Sequence, residues 1–173
     1  GIYGVVEADF FDWPTQTEEG RGFISSLART VAAFNWSEVD HDVLKHLYES
    51  VISTDTRRDL GEYYTPDWLA DRVLANIEYD PLQSRVLDAS CGSGTFLFPA
   101  IQAYLSAAEA ADVPNGAALE GLVSKVIGMD LHPVAVSLAR VTYLLAIGRT
   151  RILASDRPTS LAIPVYIGDS LQW

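Results

Sequence analysis

The sequence predicts an α/β protein built on half of a doubly wound parallel sheet. Three short apolar stretches in the second part of the chain alternate with helical segments, which is the order of such a sheet. An aspartate closes each stretch: Asp88, Asp130 and Asp169. Because parallel strands end at one edge of the sheet, where ligands bind, we expect these carboxylates to share a site.

Composition and length indicate a single ordinary core. The chain has 173 residues, of which 49% are hydrophobic, so a disordered or collagen-like chain is excluded. The longest apolar stretch, 133–147, carries Arg140 near its middle and therefore predicts a core helix rather than a membrane span.

Charge and cysteine content point to a reducing compartment and to an acidic surface. The single cysteine, Cys91, excludes an internal disulfide, and the first residues lack the pattern of a signal peptide, so we expect a cytoplasmic protein. The net charge of −11 repels DNA at long range. If the function involves DNA, another part of the protein must supply the basic surface.

Residues 1–60 predict an N-terminal helical segment, and residues 61–173 predict the domain that contains the sheet. In "FISSLARTVAAF" the apolar residues from Phe23 to Phe34 are spaced for one helical face. In "SEVDHDVLKHLYESVI" Ser37 and Asp40 form a variant of the capping box, and apolar residues from Val39 to Val51 continue the pattern.

The second domain opens with a helix in "YYTPDWLADRVLANI". Thr65 is the predicted N-cap, Pro66 the first helical residue and Asp67 an acid in the first turn. The strand "RVLDA" follows, then a glycine turn, then a helix from about 94 to 111. Pro99 lies inside that helix, where it should remove a backbone hydrogen bond.

The remaining elements complete the alternation. A short helix is predicted in "AALEGLVSK" and a strand in "VIGMD". The next helix begins at Pro133 and ends before Gly148, since proline favours the first helical position and glycine the position after the last. The strand in "PVYIGD" is the last predicted element.

The glycine turn does not match the common phosphate-binding loops. A dinucleotide fingerprint needs a third glycine, which is missing after Gly92 and Gly94, and Asp88 would face the pyrophosphate. Neither a Walker Gly-Lys-Ser/Thr sequence nor a Gly-x-Ser-x-Gly elbow occurs in the chain.

S-adenosylmethionine fits these residues better, because it has no phosphate and carries an ammonium group and a cationic sulfonium. Asp88 would attract that end of the ligand, and the glycines would let the backbone approach it. Asp130 could accept hydrogen bonds from both ribose hydroxyls, and Asp169 could accept one from the exocyclic amine of the adenine.

Four motifs in this order, "GEYYTP", "VLDASCGSGTFL", "GMDLHP" and "GDSL", resemble those of the adenine-specific DNA amino-methyltransferases of restriction–modification systems. Members of that family include type I modification subunits and fused type II enzymes. The stretch "DVLKHLYESVISTDTRRDLGEYYTP" is similar to their helical lead-in, so the resemblance runs from about residue 42 to the end. It implies a Rossmann-like S-adenosylmethionine-dependent methyltransferase sheet and methylation of the adenine amine in DNA, in a restriction–modification or related phage-defence system.

The resemblance also implies a role for individual residues. Tyr63 and Thr65 would contact the cofactor, Thr65 at its carboxylate. Asp130 would hold the ribose and Leu131 would pack on the adenine, while Asp169 and Ser170 would meet the adenine edge. Some relatives have an aromatic residue where Ser170 stands. The residues implied for the methionine side are Asp88, Ser90, Gly92 and Gly94.

The family's catalytic tetrapeptide, Asn or Asp followed by Pro-Pro and an aromatic residue, is expected shortly after "GDSL" but does not occur in this chain. We therefore expect a truncated domain that holds the cofactor half of the site, has no catalytic residue of its own and is inactive alone. DNA, and specificity or endonuclease subunits or domains, would be contacted by other parts of the parent protein. The spacing of the histidines predicts no metal site.

Less specific interpretations remain open for several residues. Thr65 could act only as an N-cap, Asp130 could cap the following helix, and Asp169 could be a turn residue. Cys91 is expected to be a packed thiol rather than a nucleophile. An S-adenosylmethionine-dependent protein or RNA methyltransferase and a non-catalytic assembly module are the alternative functions, although "GEYYTP" and its lead-in favour DNA.

Overall fold

A computed structural model of the chain describes residues 1–5, 13–33 and 65–172. These residues belong to two compact units, one with residues 13–33 and the other with residues 1–5 and 65–172. The predicted helix in "SEVDHDVLKHLYESVI" and the predicted cofactor residue Tyr63 lie outside the described residues.

The smaller unit consists of a short 3₁₀ helix, Trp13–Gln16, and helix α1, Glu18–Ala32. Helix α1 begins before the predicted start at Phe23 because Thr17 caps it: the N–H of Gly20 donates to Thr17 Oγ1 at 3.0 Å. Glu18 and Glu19 place negative charge in the first turn, which the helix dipole favours.

The described part of the larger unit contains both helices and strands. The strands are β1 (Ile2–Tyr3), β2 (Val86–Asp88), β3 (Val126–Asp130), β4 (Leu161–Ala162) and β5 (Val165–Ile167). The helices are α2 (Asp67–Ala75), α3 (Leu97–Ala110), α4 (Asn115–Lys125), α5 (Pro133–Ile147) and α6 (Arg149–Leu153).

Three of the strands form a parallel sheet in the order β2-β3-β5. Asp88 is paired with Gly128 and Asp130 with Ile167, so all three strands end at the same edge. The three predicted strands and their parallel arrangement are confirmed. A second pair, β1 with β4, was not predicted, because strands of two residues give no periodic signal.

Two helix starts differ from the prediction. Helix α2 begins at Asp67, and Pro66 occupies the N-cap position, with its carbonyl accepting from the N–H of Leu69 at 2.9 Å. The assignment of Thr65 as N-cap is therefore wrong by one residue. Helix α3 begins at Leu97, which puts Pro99 in the first turn, where N–H groups lack intrahelical partners in any case.

Helices α3 and α5 pack against each other and against the sheet, and α4 also contacts β3. Buried side chains of this core include Leu97, Ile101, Leu122, Val126, Val136, Tyr143 and Val165. Arg140, on α5, is buried among them, and its Nε donates to the carbonyl of Val165 at 2.9 Å. No helix in the described ranges has the length and hydrophobicity that a membrane span requires.

Gly94 lets the glycine turn approach helix α5 closely. Its φ is +100°, and a Cβ at this position would lie 3.1 Å from Thr142 Cγ2, which belongs to a buried side chain. Gly148 also has a positive φ, of +82°, but a Cβ there would meet nothing within 4 Å. It therefore serves as a control that has no such contact.

We expect Gly94→Ala to lower the free energy of unfolding by about 2–5 kcal/mol, from backbone strain together with overpacking. Gly148→Ala introduces backbone strain without this contact and should cost about 1–3 kcal/mol. Chemical denaturation of both variants measures the difference. Equal losses would show that the contact with Thr142 does not constrain the turn.

Candidate functional site

The carboxyl edge of the three-stranded sheet is lined by acidic residues. Asp88 and Asp130 are the last residues of β2 and β3, and Asp169 follows β5 by two residues. Because the strands are parallel and paired in register, the structure brings the three carboxylates to one edge, as the sequence predicts.

A cleft of about 720 Å³ opens at this edge. Its volume lies within the range of small-molecule sites. The predicted cofactor residues that line it are Thr65, Asp88, Ser90, Gly92, Asp130, Leu131, Asp169 and Ser170. Gly94 is not among the lining residues, since it is buried against α5.

Backbone hydrogen bonds fix the glycine turn to the end of β3. The N–H of Cys91 donates to the carbonyl of Met129 at 2.9 Å, and the N–H of Gly94 closes the turn onto the carbonyl of Cys91 at 2.8 Å. Gly92 has a φ of +53°, which favours glycine. Its N–H donates to Asp130 Oδ2 at 2.8 Å.

Asp130 accepts hydrogen bonds with both carboxylate oxygens. Besides the bond from Gly92, Oδ1 accepts from the N–H of His132 at 2.9 Å. His132 is at the N-cap position of α5, and its side chain makes no capping hydrogen bond. The carboxylate of Asp130 therefore closes a local turn rather than capping a donor inside the helix. Each carboxylate oxygen has a second lone pair and can accept from a ligand as well.

Asp88 is the least well satisfied acid of the site. Oδ1 accepts a long bond of 3.3 Å from the N–H of Ser90, whereas Oδ2 is buried and has no hydrogen-bond partner among the described residues. Burial raises the pKa of Asp88 above its ordinary value of 3.8; the Ser90 N–H partly offsets the rise and the negative charge of Asp130 adds to it. A cationic ligand group beside Asp88 would relieve this cost.

Asp169 is a turn residue and Cys91 is a packing residue, as their simpler interpretations predict, and both also line the cleft. Asp169 Oδ1 accepts from the N–H of Leu171 at 2.9 Å, which makes it a turn residue that also lines the cleft. Cys91 is buried, and burial together with the charges of Asp88 and Asp130 raises the pKa of its thiol. A thiol kept protonated is a poor nucleophile, as expected for a packing residue.

The cleft residues that were not predicted as site residues include Phe96 and His132. Both occupy N-cap positions, Phe96 before α3 and His132 before α5. A helix that follows a parallel strand begins at the carboxyl edge of the sheet, so the predicted helix starts contained a signal for both residues.

These features define the class of the protein. It is a mixed α/β protein with a small parallel sheet and an acidic cleft at the carboxyl ends of its strands. The N-6 DNA Methylase family matches residues 39–151, more than half of the chain, and the protein belongs to this family. Membership in this family confirms the resemblance seen in the sequence motifs.

Two relatives have names from restriction–modification systems. The chain is 32% identical over 82 residues to the Type I restriction enzyme MjaVII methylase subunit of Methanocaldococcus jannaschii, covering 46% of this chain and 14% of that protein. It is also similar to the crystal structure of a modification subunit from Vibrio vulnificus YJ016, with a TM-score of 0.44 and 24% identity, over 76% of this chain and 24% of that one. The chain therefore spans a small part of either relative.

The unusual environment of Asp88 has a consequence for stability. Because its pKa in the folded chain is raised, the folded chain retains this proton to a higher pH than the unfolded chain. The contribution of Asp88 to stability therefore falls as pH rises from 3.8 through the raised pKa. Asp88→Asn keeps the size and the Oδ1 acceptor but removes the charge.

We expect Asp88→Asn to raise the thermal unfolding midpoint relative to wild type at pH 7 and to lose most of that advantage near pH 4. Thermal unfolding of both proteins at the two pH values measures the change. Asp112→Asn, which removes an exposed carboxylate, is the control. The same difference between Asp88→Asn and wild type at both pH values would contradict the interpretation.

Proposed function

We propose that this chain is the S-adenosylmethionine-binding portion of a DNA adenine-N6 methyltransferase from a restriction–modification or related phage-defence system. The observation that carries the proposal is the cleft itself, in which Asp88, Asp130 and Asp169 converge at the carboxyl edge of the sheet in a member of the N-6 DNA methylase family. When bound, the cofactor supplies the methyl group.

The charge of the cleft supports this cofactor over a phosphate-bearing one. Asp88 is partly buried, its Oδ2 is unpartnered among the described residues, and Asp130 is close enough to raise its pKa further. An anionic phosphate would increase this repulsion, whereas an ammonium or sulfonium would offset it. Electrostatic effects of either sign are stronger in a partly dry cleft than in water.

We assign the remaining contacts along the length of the cofactor. Asp88, Ser90, Gly92 and Gly94 form the methionine side, Gly94 by holding the turn rather than by lining the cleft. Tyr63 and Thr65 contact the cofactor, and Thr65 meets its carboxylate. Asp130 accepts from the ribose hydroxyls with the lone pairs that its backbone donors leave. Leu131 packs on the adenine, while Asp169 and Ser170 meet its edge.

The same proposal assigns the domains of this chain and the partners of the parent protein. Residues 61–173 form the cofactor-binding part of a Rossmann-like methyltransferase domain. The helical segment predicted in residues 1–60 precedes it and excludes residues 1–5, which carry β1 and belong to the larger unit. The 173 residues contain no Pro-Pro pair, so other parts of the parent protein supply the tetrapeptide that holds the target base. Those parts also supply the DNA-binding surface. They contact the specificity or endonuclease subunits or domains, and the parent protein acts in the cytoplasm.

Leu131 offers a test of the adenine contact, because it is an apolar residue left 66% exposed in the cleft. We expect Leu131→Ala to weaken S-adenosylmethionine binding about 5- to 10-fold, from lost apolar contact, with little change in stability. Leu153 is 68% exposed and does not line this cleft, so Leu153→Ala is the matched control. Calorimetric titration in which both variants bind like wild type would remove the adenine assignment.

The 173-residue chain is expected to bind S-adenosylmethionine but to transfer no methyl group to DNA, because it lacks the residues that hold the extruded adenine. Calorimetry measures the first part and incorporation of radiolabelled methyl groups into DNA the second. Turnover by this chain would contradict the proposed division of the site. Absence of cofactor binding would favour a non-catalytic assembly module.

A further inference from the structure

Asp130 joins three segments of the larger unit that are distant in sequence. Its Oδ2 accepts from Gly92 in the glycine turn, and its Oδ1 accepts from His132. Its backbone carbonyl accepts from the N–H of Gly168 after β5, at 3.0 Å. Asp130 therefore lies at the junction of the turn, the start of α5 and the end of the neighbouring strand.

Two bonds of this junction depend on the side chain, and of these the bond between Gly92 and Asp130 is the one that joins residues distant in sequence. The two residues are separated by 38 positions, so the bond fixes the turn to the central strand rather than to its own neighbours. The adjacent N–H of Cys91 donates to a backbone carbonyl, that of Met129, and no side-chain substitution removes that acceptor. Loss of the Asp130 carboxylate should therefore release Gly92 while Cys91 stays held.

We propose that Asp130 is a positioning residue for the glycine turn, and that it supports binding of the methionine half of the cofactor, which it does not contact. The inference rests on the proposed function, in which the turn forms the methionine side and Asp130 itself meets the ribose. A turn that is already ordered binds its ligand without the entropic cost of ordering it. The carboxylate thus contributes to binding twice, by contact and through the turn.

The contribution of Asp130 through the turn can be measured separately with a cofactor analogue that lacks the groups Asp130 would contact. S-(2′,3′-dideoxyadenosyl)-homocysteine has no ribose hydroxyls, and its sulfur is uncharged, so neither a direct hydrogen bond nor attraction to a sulfonium remains. It keeps the ammonium group, and Asp130→Asn, which also removes the charge of residue 130, controls for attraction to that group. We expect Asp130→Ala to weaken binding of this analogue about 5- to 10-fold relative to wild type. Asp130→Asn, whose one oxygen can satisfy only one of the two N–H groups, should show a smaller loss.

Amide hydrogen exchange in the free chain provides a second readout that does not depend on any ligand. We expect Asp130→Ala to speed exchange at Gly92 at least 5-fold and to leave Cys91 protected. Asp156 is a matched control, because its Oδ2 accepts from the N–H of Gly116 at 3.2 Å in a region away from the cleft. Asp156→Ala should speed exchange at Gly116 without changing Gly92 or binding of the analogue.

The outcomes distinguish this inference from the proposed function. If wild type does not bind S-adenosylmethionine, the proposed function fails, and exchange at Gly92 still reports on the turn. If wild type binds it, equal affinity of wild type and Asp130→Ala for the analogue overturns the inference. Unchanged exchange at Gly92 also overturns it, as does an analogue too weak for wild type to bind, because the methionine half would then contribute nothing measurable.

Discussion

The structure depends on how the central strand of its parallel sheet ends. Strand β3 lies between β2 and β5, and its last residue, Asp130, accepts backbone hydrogen bonds from Gly92, His132 and Gly168. Each bond satisfies an N–H group near a cleft, where an unpaired donor would be costly. One residue therefore contacts all three of these segments, which line the site.

The packing behind the glycine turn shows why a missing glycine is a weak argument against a nucleotide. Leu97 stands where a dinucleotide fingerprint has its third glycine, which allows close approach of helix and strand. The necessary space comes from the neighbouring strand instead, since a Cβ on Gly128 would lie 2.7 Å from Leu97 Cδ1. The exclusion of a phosphate ligand therefore rests on the charge of Asp88 and not on the glycine count.

The sequence predicted the elements that depend on local patterns and missed those that depend on contacts between distant residues. The strands ending at Asp88 and Asp130 and the helix Pro133–Ile147 have clear periodicity or terminal signals, and the structure confirms them. The position of the site at one edge of the sheet followed from the strand order, because parallel strands end at the same edge. The burial of Gly94 against Thr142 and the bond from Gly92 to Asp130 could not be predicted, because each joins residues about 40 or more positions apart.

The cleft contains two features that are unfavourable in the free chain, and a single kind of ligand would reverse both. Asp88 keeps a buried carboxylate oxygen with no partner among the described residues, and Leu131, an apolar residue, is 66% exposed. Departures from ordinary packing tend to mark functional sites. A cation alone would satisfy Asp88 and leave Leu131 exposed, and an apolar molecule would do the opposite. A ligand that carries positive charge at one end and a flat aromatic ring at the other matches both, and a cationic nucleoside has this form.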